Sequence, residues 1–238
     1  MRPPNRVRYR VLCTDYDGTL ARHGRVHVAT VAALERLRAA GGQLVLVSGR
    51  ILPELTHLMP RLDVFARVVA ENGALLHAPA DGSEQALAAP PPPGFVELLR
   101  ARGVSPLSTG RVIVATREPH QLAVLETIRE LGLGLEVIFN KGAVMVLPVG
   151  ITKASGLDRA LAALGCAARE AVGVGDAGND HSLIAWCGCG VAVANATAEL
   201  RLAADYVTRD ENGAGVRELI EAMLADALPE PAPRAEPA

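Results

Sequence analysis

Three short apolar runs, each stopping at a polar turn, constrain this chain more than any other feature. Val11-Leu-Cys-Thr14 stops at Asp15, Leu44-Val-Leu-Val47 stops at Ser48-Gly49-Arg50, and Val172-Gly-Val174 runs into Gly175-Asp176. Runs of this length, free of charge and bounded by turn signals, read as buried strands. Between the first two, Val28, Val31, Leu34 and Leu37 recur at helical spacing and the pattern ends at Gly41-Gly42, where a helix is expected to stop. A helix near Pro53 to Met59 and a strand at Val68-Val-Ala70 continue the alternation. Strand, helix, strand, helix, strand is the grammar of an α/β fold with a doubly wound parallel sheet.

The grammar changes after Glu71-Asn72-Gly73-Ala74. Pro79, Asp81-Gly82 and the run Pro90-Pro-Pro-Pro93 read as loop. From Gly94 to Leu147 the order becomes helix (95–102), strand (112–116), helix (119–131) and two strands (135–139 and 143–147). The last two are joined through Asn140-Lys141-Gly142, a hairpin signal. After Pro148 the first grammar returns, with helices over 154–164, 180–186, 197–203 and 216–225 and strands over 171–174, 191–194 and 206–207. One sheet interrupted by a smaller α+β cap domain explains the return. The expected division is 1–77 and 148–227 for the sheet-bearing core, 78–147 for the cap and 228–238 for a disordered tail, whose Pro-Glu-Pro-Ala-Pro-Arg-Ala-Glu-Pro-Ala lacks core-forming side chains. A length of 238 residues, about one and a half ordinary domains, fits that division.

Composition removes whole classes of function. Lys and Arg number 24 against 26 Asp and Glu, a net charge of −2, and aromatics are 3%. That leaves neither the electrostatic footprint nor the stacking surface of a nucleic-acid binder. The basic start, Met1 to Arg10, is followed by no apolar signal core, and no stretch approaches the ~18 apolar residues of a membrane span. Cys13, Cys166, Cys187 and Cys189 lack the spacing of a zinc site and read as small buried hydrophobes. The expectation is a cytoplasmic protein, monomer or weak homodimer, whose partner is a small molecule and not nucleic acid or membrane.

In an open α/β sheet ligands sit at the carboxyl ends of the strands, so the residues after the three runs form the candidate site. Asp15, Asp17, Asp176 and Asp180 would share one crevice, and such a cluster stays ionised only with a compensating cation. All-oxygen donors of this kind suit Mg²⁺. Lys153, Ser48 and the backbone N–H groups after Asp15 and Ser48 are in turn donors suited to phosphoryl oxygens. Carboxylates for a metal beside donors for an anion point to metal-assisted phosphoryl chemistry.

Asp15-Tyr-Asp17-Gly-Thr19-Leu20, Ser48-Gly-Arg50, Lys153 and Gly175-Asp-Ala-Gly-Asn-Asp180, in this order, resemble the four motifs of the haloacid dehalogenase superfamily of phosphatases. The Asp-x-Asp-Gly-Thr pattern alone arises by chance at a rate on the order of 10⁻³ in a chain of this length and composition. The cap's place between the Ser and Lys motifs resembles the subgroup of Cof-like sugar phosphatases and archaeal-type phosphoglycolate phosphatases. The resemblance covers Val11 to Ala225.

The resemblance implies a Rossmann-like core and an Mg²⁺-dependent phosphomonoester hydrolase acting on a small phosphorylated metabolite such as a sugar phosphate or phosphoglycolate. Asp15 would be the nucleophile, forming an aspartyl-phosphate, and Asp17 would protonate the leaving oxygen, deprotonate the attacking water and lend its backbone carbonyl to Mg²⁺. A halide leaving group needs no proton, so Asp17 sets this pattern apart from the dehalogenases. Gly18 would permit the tight turn and Thr19 would fix it by a hydroxyl-to-backbone bond. Ser48, Gly49, Arg50, Lys153 and Asn179 would bind the phosphoryl group or substrate. Asp15, Asp17, Asp176 and Asp180 would make the metal site. Asn72 and Lys141 are further candidates for touching substrate, Lys141 through a second anionic group. The six histidines, His23, His27, His57, His77, His120 and His181, form no ligand spacing. A phosphomutase with the same nucleophile, and a phospholigand sensor without catalysis, are the alternatives.

Overall fold

The computed structural model describes residues 8–230. The larger unit opens with β1 (Val11–Asp15), α1 (Val28–Ala39), β2 (Gln43–Val47), α2 (Leu52–Leu58) and β3 (Arg67–Ala70). A hairpin follows, β4 (Leu75–Ala78) and β5 (Ser83–Ala86). The smaller unit comprises α3 (Pro93–Ala101), β6 (Ser108–Thr109), β7 (Val114–Arg117), α4 (Gln121–Glu130), β8 (Leu135–Asn140) and β9 (Ala143–Pro148). The chain then returns through α5 (Lys153–Ala163), β10 (Ala171–Gly175), α6 (His181–Trp186) and β11 (Cys189–Ala192). It closes with α7 (Ala198–Ala203), β12 (Tyr206–Val207) and α8 (Asn212–Leu224).

The larger sheet runs β12-β11-β10-β1-β2-β3-β4-β5, parallel from β12 to β3 and antiparallel beyond. Alternate residues of each central strand feed two separate cores. Leu12, Leu44, Leu46 and Val172 pack with Leu34 and Leu37 of α1 and Val216 and Leu219 of α8. Val11, Cys13, Val45 and Val47 pack on the other face with Leu157 and Leu161 of α5 and Leu183 of α6. A strand buried on both faces has no polar alternation, which is why β1 and β2 read as uninterrupted apolar runs. All four cysteines are buried, and no helix of the described residues is long and apolar enough to cross a membrane.

The smaller sheet, β6-β7-β9-β8, obeys the other rule. Val114, Val144 and Val146 face Phe95 and Leu99 of α3 and Val124 of α4, while Ala115, Met145 and Leu147 turn toward the larger unit. One covered face gives the strands a period of two. The β8–β9 hairpin pairs Asn140 with Ala143 across Lys141 (φ +50) and Gly142 (φ +78), the two left-handed residues of a tight hairpin turn.

Two expectations change. Residues 78–86, assigned to the cap with Pro79 and Asp81-Gly82 read as loop, belong together with 75–77 to the β4–β5 hairpin at the edge of the larger sheet. β5 is exposed throughout, so no apolar pattern marks it. The tail was expected to be disordered from 228, yet Leu228 is buried. Its carbonyl accepts from Arg8, and Tyr9 donates to the Pro229 carbonyl. Residues 231–238 of that expected tail lie outside the described residues.

Strand register gathers the site. Asp15 lies level with Val47, and Thr14 with Val174, so Asp15, Ser48 and Asp176 leave one edge of the sheet together.

Candidate active site

The buried centre is a chain of opposite charges. Lys153, at the first turn of α5, is 1% exposed, and its Nζ donates to Asp15 Oδ1 at 2.5 Å and to Asp180 Oδ1. Thr152 caps that helix, accepting from the Ser155 N–H while the Ser155 hydroxyl bonds the Thr152 N–H, which fixes where Lys153 starts. Burial works against the ammonium, but Asp15 and Asp180 outweigh it and hold Lys153 above the ordinary lysine value. Burial, joined by the Asp180 charge, pushes Asp15 up to about 7 against the pull of Lys153. Asp176 is also raised, by burial first, with Lys141 opposing.

Asp180 Oδ2 accepts from the Asp176 and Ala177 N–H groups, both at 3.0 Å. Each of its oxygens is thereby engaged, one holding Lys153 and one shaping the turn after β10. Thr19 departs from expectation, since its hydroxyl donates to Asp176 Oδ1 at 3.2 Å instead of to backbone. Gly18 (φ +88) is required by contact as well as by conformation, because a Cβ there would lie 2.3 Å from Asp176 Oδ2.

Asp17 faces away from the buried trio. Its carboxylate takes a two-pronged contact from Arg50, Nε at 2.5 Å and Nη2 at 2.9 Å. That contact, against some burial and with help from Glu54, raises Arg50 further. Ser48 Oγ accepts from the Arg50 N–H, whereas the residue capping α2 is Ile51, so Ser48 is no helix cap. Asn179 Nδ2 donates to Asn72 Oδ1 at 3.3 Å, and Asn179 Oδ1 is buried without a partner among the described residues.

A cavity of about 370 Å³ separates the two units, with Asp15, Ser48 and Arg50 on one wall and Arg117, Asn140 and Lys141 on the other. Lys141 crosses it: its Nζ donates to the Asp17 backbone carbonyl at 3.1 Å and to Asp176 Oδ2 at 2.7 Å. Arg117 is exposed and its guanidinium carries no partner among the described residues. Its strand position gave no motif, and only its alternation with Ala115 on β7 marks it as cavity-facing.

The residues present fit a divalent cation. Carboxylate oxygens of Asp15, Asp176 and Asp180 lie within 4.8 Å of one another, three carboxylates against the buried ammonium of Lys153 and the half-exposed one of Lys141. The Asp17 carbonyl and Asp176 Oδ2 already converge on a cation, the Lys141 ammonium. Oxygen donors with residual negative charge are what Mg²⁺ takes.

Two more residues escaped the sequence reading, as Arg117 did. Asn195, just past the end of β11, donates to the Gly18 carbonyl at 2.7 Å and accepts from the Asn212 N–H. The rule that sites follow strand ends would have flagged it. Glu71, buried beside Asn72 directly after β3, falls under the same rule.

A family model described as haloacid dehalogenase-like hydrolase matches residues 12–89 and 110–220. A phosphoglycolate phosphatase of Methanothermobacter thermautotrophicus is 30% identical, covering 90% of this chain and 99% of its own. One from Halorubrum lacusprofundi is 32% identical over 84% of this chain and 90% of its own. The crystal structure of Thermoplasma acidophilum 0175 superposes with a TM-score of 0.77 at 18% identity, covering 91% of this chain and 98% of that one.

Proposed function

The chain belongs to the haloacid dehalogenase-like hydrolases, and from that membership we propose that this phosphatase is an Mg²⁺-dependent phosphomonoester hydrolase that works through an aspartyl-phosphate on a small phosphorylated metabolite. The observation that carries the reading is the Lys153 ammonium shared by Asp15 and Asp180 at the carboxyl edge of a parallel sheet. A nucleophile held beside a fixed cation is preorganised for an anionic substrate.

Asp15 attacks phosphorus with one carboxylate oxygen, forming the Asp15–phosphorus bond as the bond to the leaving oxygen breaks. Asp17 gives that oxygen its proton. A water then attacks phosphorus, Asp17 takes the water's proton, and the Asp15–phosphorus bond breaks to release phosphate. The two-pronged Arg50 contact fixes where the Asp17 carboxyl sits beside the cavity. Ser48, the Gly49 N–H, Lys153 and the Asn179 side-chain N–H donate to the non-reacting phosphoryl oxygens. The cation's donors are Asp15, Asp176 and the Asp17 carbonyl, with Asp180 holding Lys153 beside them. Bound there, Mg²⁺ supplies charge neutralisation between two anions that would otherwise repel.

The opposite wall supports a substrate with a second anionic group. Arg117 and Lys141 are its exposed cations, the cavity is small, and the relatives carry the name phosphoglycolate phosphatase. We therefore assign substrates of the phosphoglycolate kind, a phosphate and a carboxylate on a short carbon frame.

The test is phosphate release from a panel of phosphomonoesters with Mg²⁺, with Asp15→Asn alongside. Phosphate from wild type and none from the variant is expected; equal release from both, or none from wild type, would sink the proposal. Chelation by EDTA should stop release and Mg²⁺ restore it, and calorimetry should show Mg²⁺ binding weakened by Asp176→Asn. An isomerised phosphosugar without free phosphate would reveal a mutase instead.

A further inference from the structure

Glu71 is a charged residue as deeply buried as Lys153, both at 1% exposure, and the chemistry above does not use it. It follows β3 and begins three consecutive left-handed residues, Glu71 (φ +55), Asn72 (φ +56) and Gly73 (φ +113). Glutamate has no intrinsic liking for that conformation, so the surroundings hold it there.

What holds it comes from both units. Oε1 accepts from the Arg111 N–H at 2.8 Å, and Oε2 accepts from the Val112 and Ile113 N–H groups at 2.8 and 2.9 Å. These three amides belong to the loop between β6 and β7 of the smaller unit. Gly110 lets the loop close over the carboxylate, since a Cβ there would lie 2.3 Å from Oε1. Successive backbone N–H groups around one carboxylate form an anion-holding nest.

The same stretch reaches the phosphate end of the site through its backbone. The Glu71 N–H donates to the Arg50 carbonyl and the Asn72 N–H to the Ser48 carbonyl, both at 2.9 Å. Asn72 Oδ1 holds Asn179. Gly73 lies against the Thr152 carbonyl, one residue before Lys153, so closely that a Cβ would sit 2.0 Å from that oxygen. Four groups assigned to the phosphoryl pocket or its rim, Ser48, Arg50, Lys153 and Asn179, are therefore touched by residues 71–73 or by their immediate neighbours.

We infer that Glu71 is a positioning residue: its side chain clasps the 111–113 loop while its backbone sets the Ser48–Arg50 turn, so that seating of the smaller unit and shape of the phosphate pocket are controlled at one point. This rests on the phosphatase reading only for its catalytic consequence. The clasp sits between the two walls of the cavity, where a rigid connection fixes the distance from the phosphoryl pocket to Arg117 and Lys141. A substrate that spans the cavity needs that distance held, and one that carries only a phosphate does not.

Glu71→Gln keeps the size of the side chain but removes the charge and places an amide against N–H donors. Three measurements decide the matter: amide hydrogen exchange at residues 111–113, inorganic phosphate affinity by calorimetry with Mg²⁺, and kcat and KM for phosphoglycolate and for a neutral-tailed ester such as ethyl phosphate. Expected are exchange at 111–113 at least tenfold faster, phosphate affinity weakened severalfold, and KM for phosphoglycolate raised about tenfold while that for ethyl phosphate moves less. Glu71→Asp should restore exchange protection in part. Unchanged exchange overturns the inference, and so does faster exchange with phosphate affinity and both KM values unaltered, which would make Glu71 a structural tie only. If wild type hydrolyses no phosphoester, the phosphatase reading fails separately. Exchange and phosphate affinity then judge Glu71 without turnover, and unchanged phosphate affinity in Glu71→Gln overturns the inference.

Discussion

On the edge of the larger sheet, Lys153, Asp15, Asp176 and Asp180 are all buried and each has a charged partner. Across the cavity, Lys141 is half exposed and Arg117 is exposed without a partner among the described residues. The two walls carry charge for different ends. Buried charges have already lost their water and cannot rearrange, so they suit a reaction whose charge development is always the same. Exposed cations on flexible stems keep their hydration and adapt, which suits choosing among substrates and contributes little to stability. The surrounding architecture agrees: β1 and β10 are buried along their whole length, whereas β8 has no fully buried residue.

The sharpest way to break this contrast is to remove one lysine from each wall. Lys153→Met leaves Asp15 and Asp180 buried without their cation, and breaking a buried pair from one side costs about 3–5 kcal/mol. In a protein of this size that lowers Tm by roughly 6–20 °C. Lys141→Met, with its ammonium half in solvent, should cost no more than about 1 kcal/mol. Thermal unfolding of both variants at pH 7 checks this, and similar losses would erase the distinction between the walls. Phosphate release should vanish in Lys153→Met under conditions where the variant remains folded.

Arg117→Ala tests the recognition half. With the buried wall intact, kcat should hold while KM for a phosphate ester bearing a carboxylate rises about tenfold, the signature of lost uniform binding. Esters without a second anion should be indifferent. A fall in kcat for every substrate would assign Arg117 to the chemistry and dissolve the division of labour.

The same contrast explains what the sequence disclosed. Strands buried on both faces are unbroken apolar runs, so β1, β2 and β10 were readable, and the candidate site residues fell at their ends because parallel strands share one carboxyl edge. The β4–β5 hairpin was not readable, since Ser83-Glu-Gln-Ala86 is exposed on both faces and Asp81-Gly82 is equally at home in a loop. Thr19 was assigned a backbone partner because that is the local habit of a turn threonine. Its actual partner, Asp176, is 157 residues away. Glu71 stands at the end of β3, but its role was invisible for a related reason: its partners are backbone amides some forty residues on, and a backbone N–H leaves no trace in residue identity.

The smallest effects probe the contrast away from the site, with one glutamate in each unit. Glu218 on α8 accepts from the Tyr206 hydroxyl and the Arg209 N–H at 2.8 Å and from the Asp210 N–H at 3.2 Å, pinning β12 at the edge of the larger sheet. Burial pushes its carboxyl up, but these donors and the Arg209 charge outweigh it and the net shift is downward. A carboxylate depressed on folding adds stability that is complete above its unfolded value, about 4.3 for glutamate, and is lost as pH falls through its lower folded value. Glu218→Gln should therefore lower Tm at pH 7 by the equivalent of about 1 kcal/mol, and the gap from wild type should close as pH drops below about 4. Glu130 pairs with Arg102 across α3 and α4 on the outside of the smaller unit, half exposed. Glu130→Gln should cost less than Glu218→Gln, a few tenths of a kcal/mol, and this cost should fade in 1 M salt, where exposed charges are screened within about 3 Å. A Glu130 effect that exceeded that of Glu218, or that resisted salt, would mean that the smaller unit also stores stability in its charges and is not the compliant wall its exposure makes it.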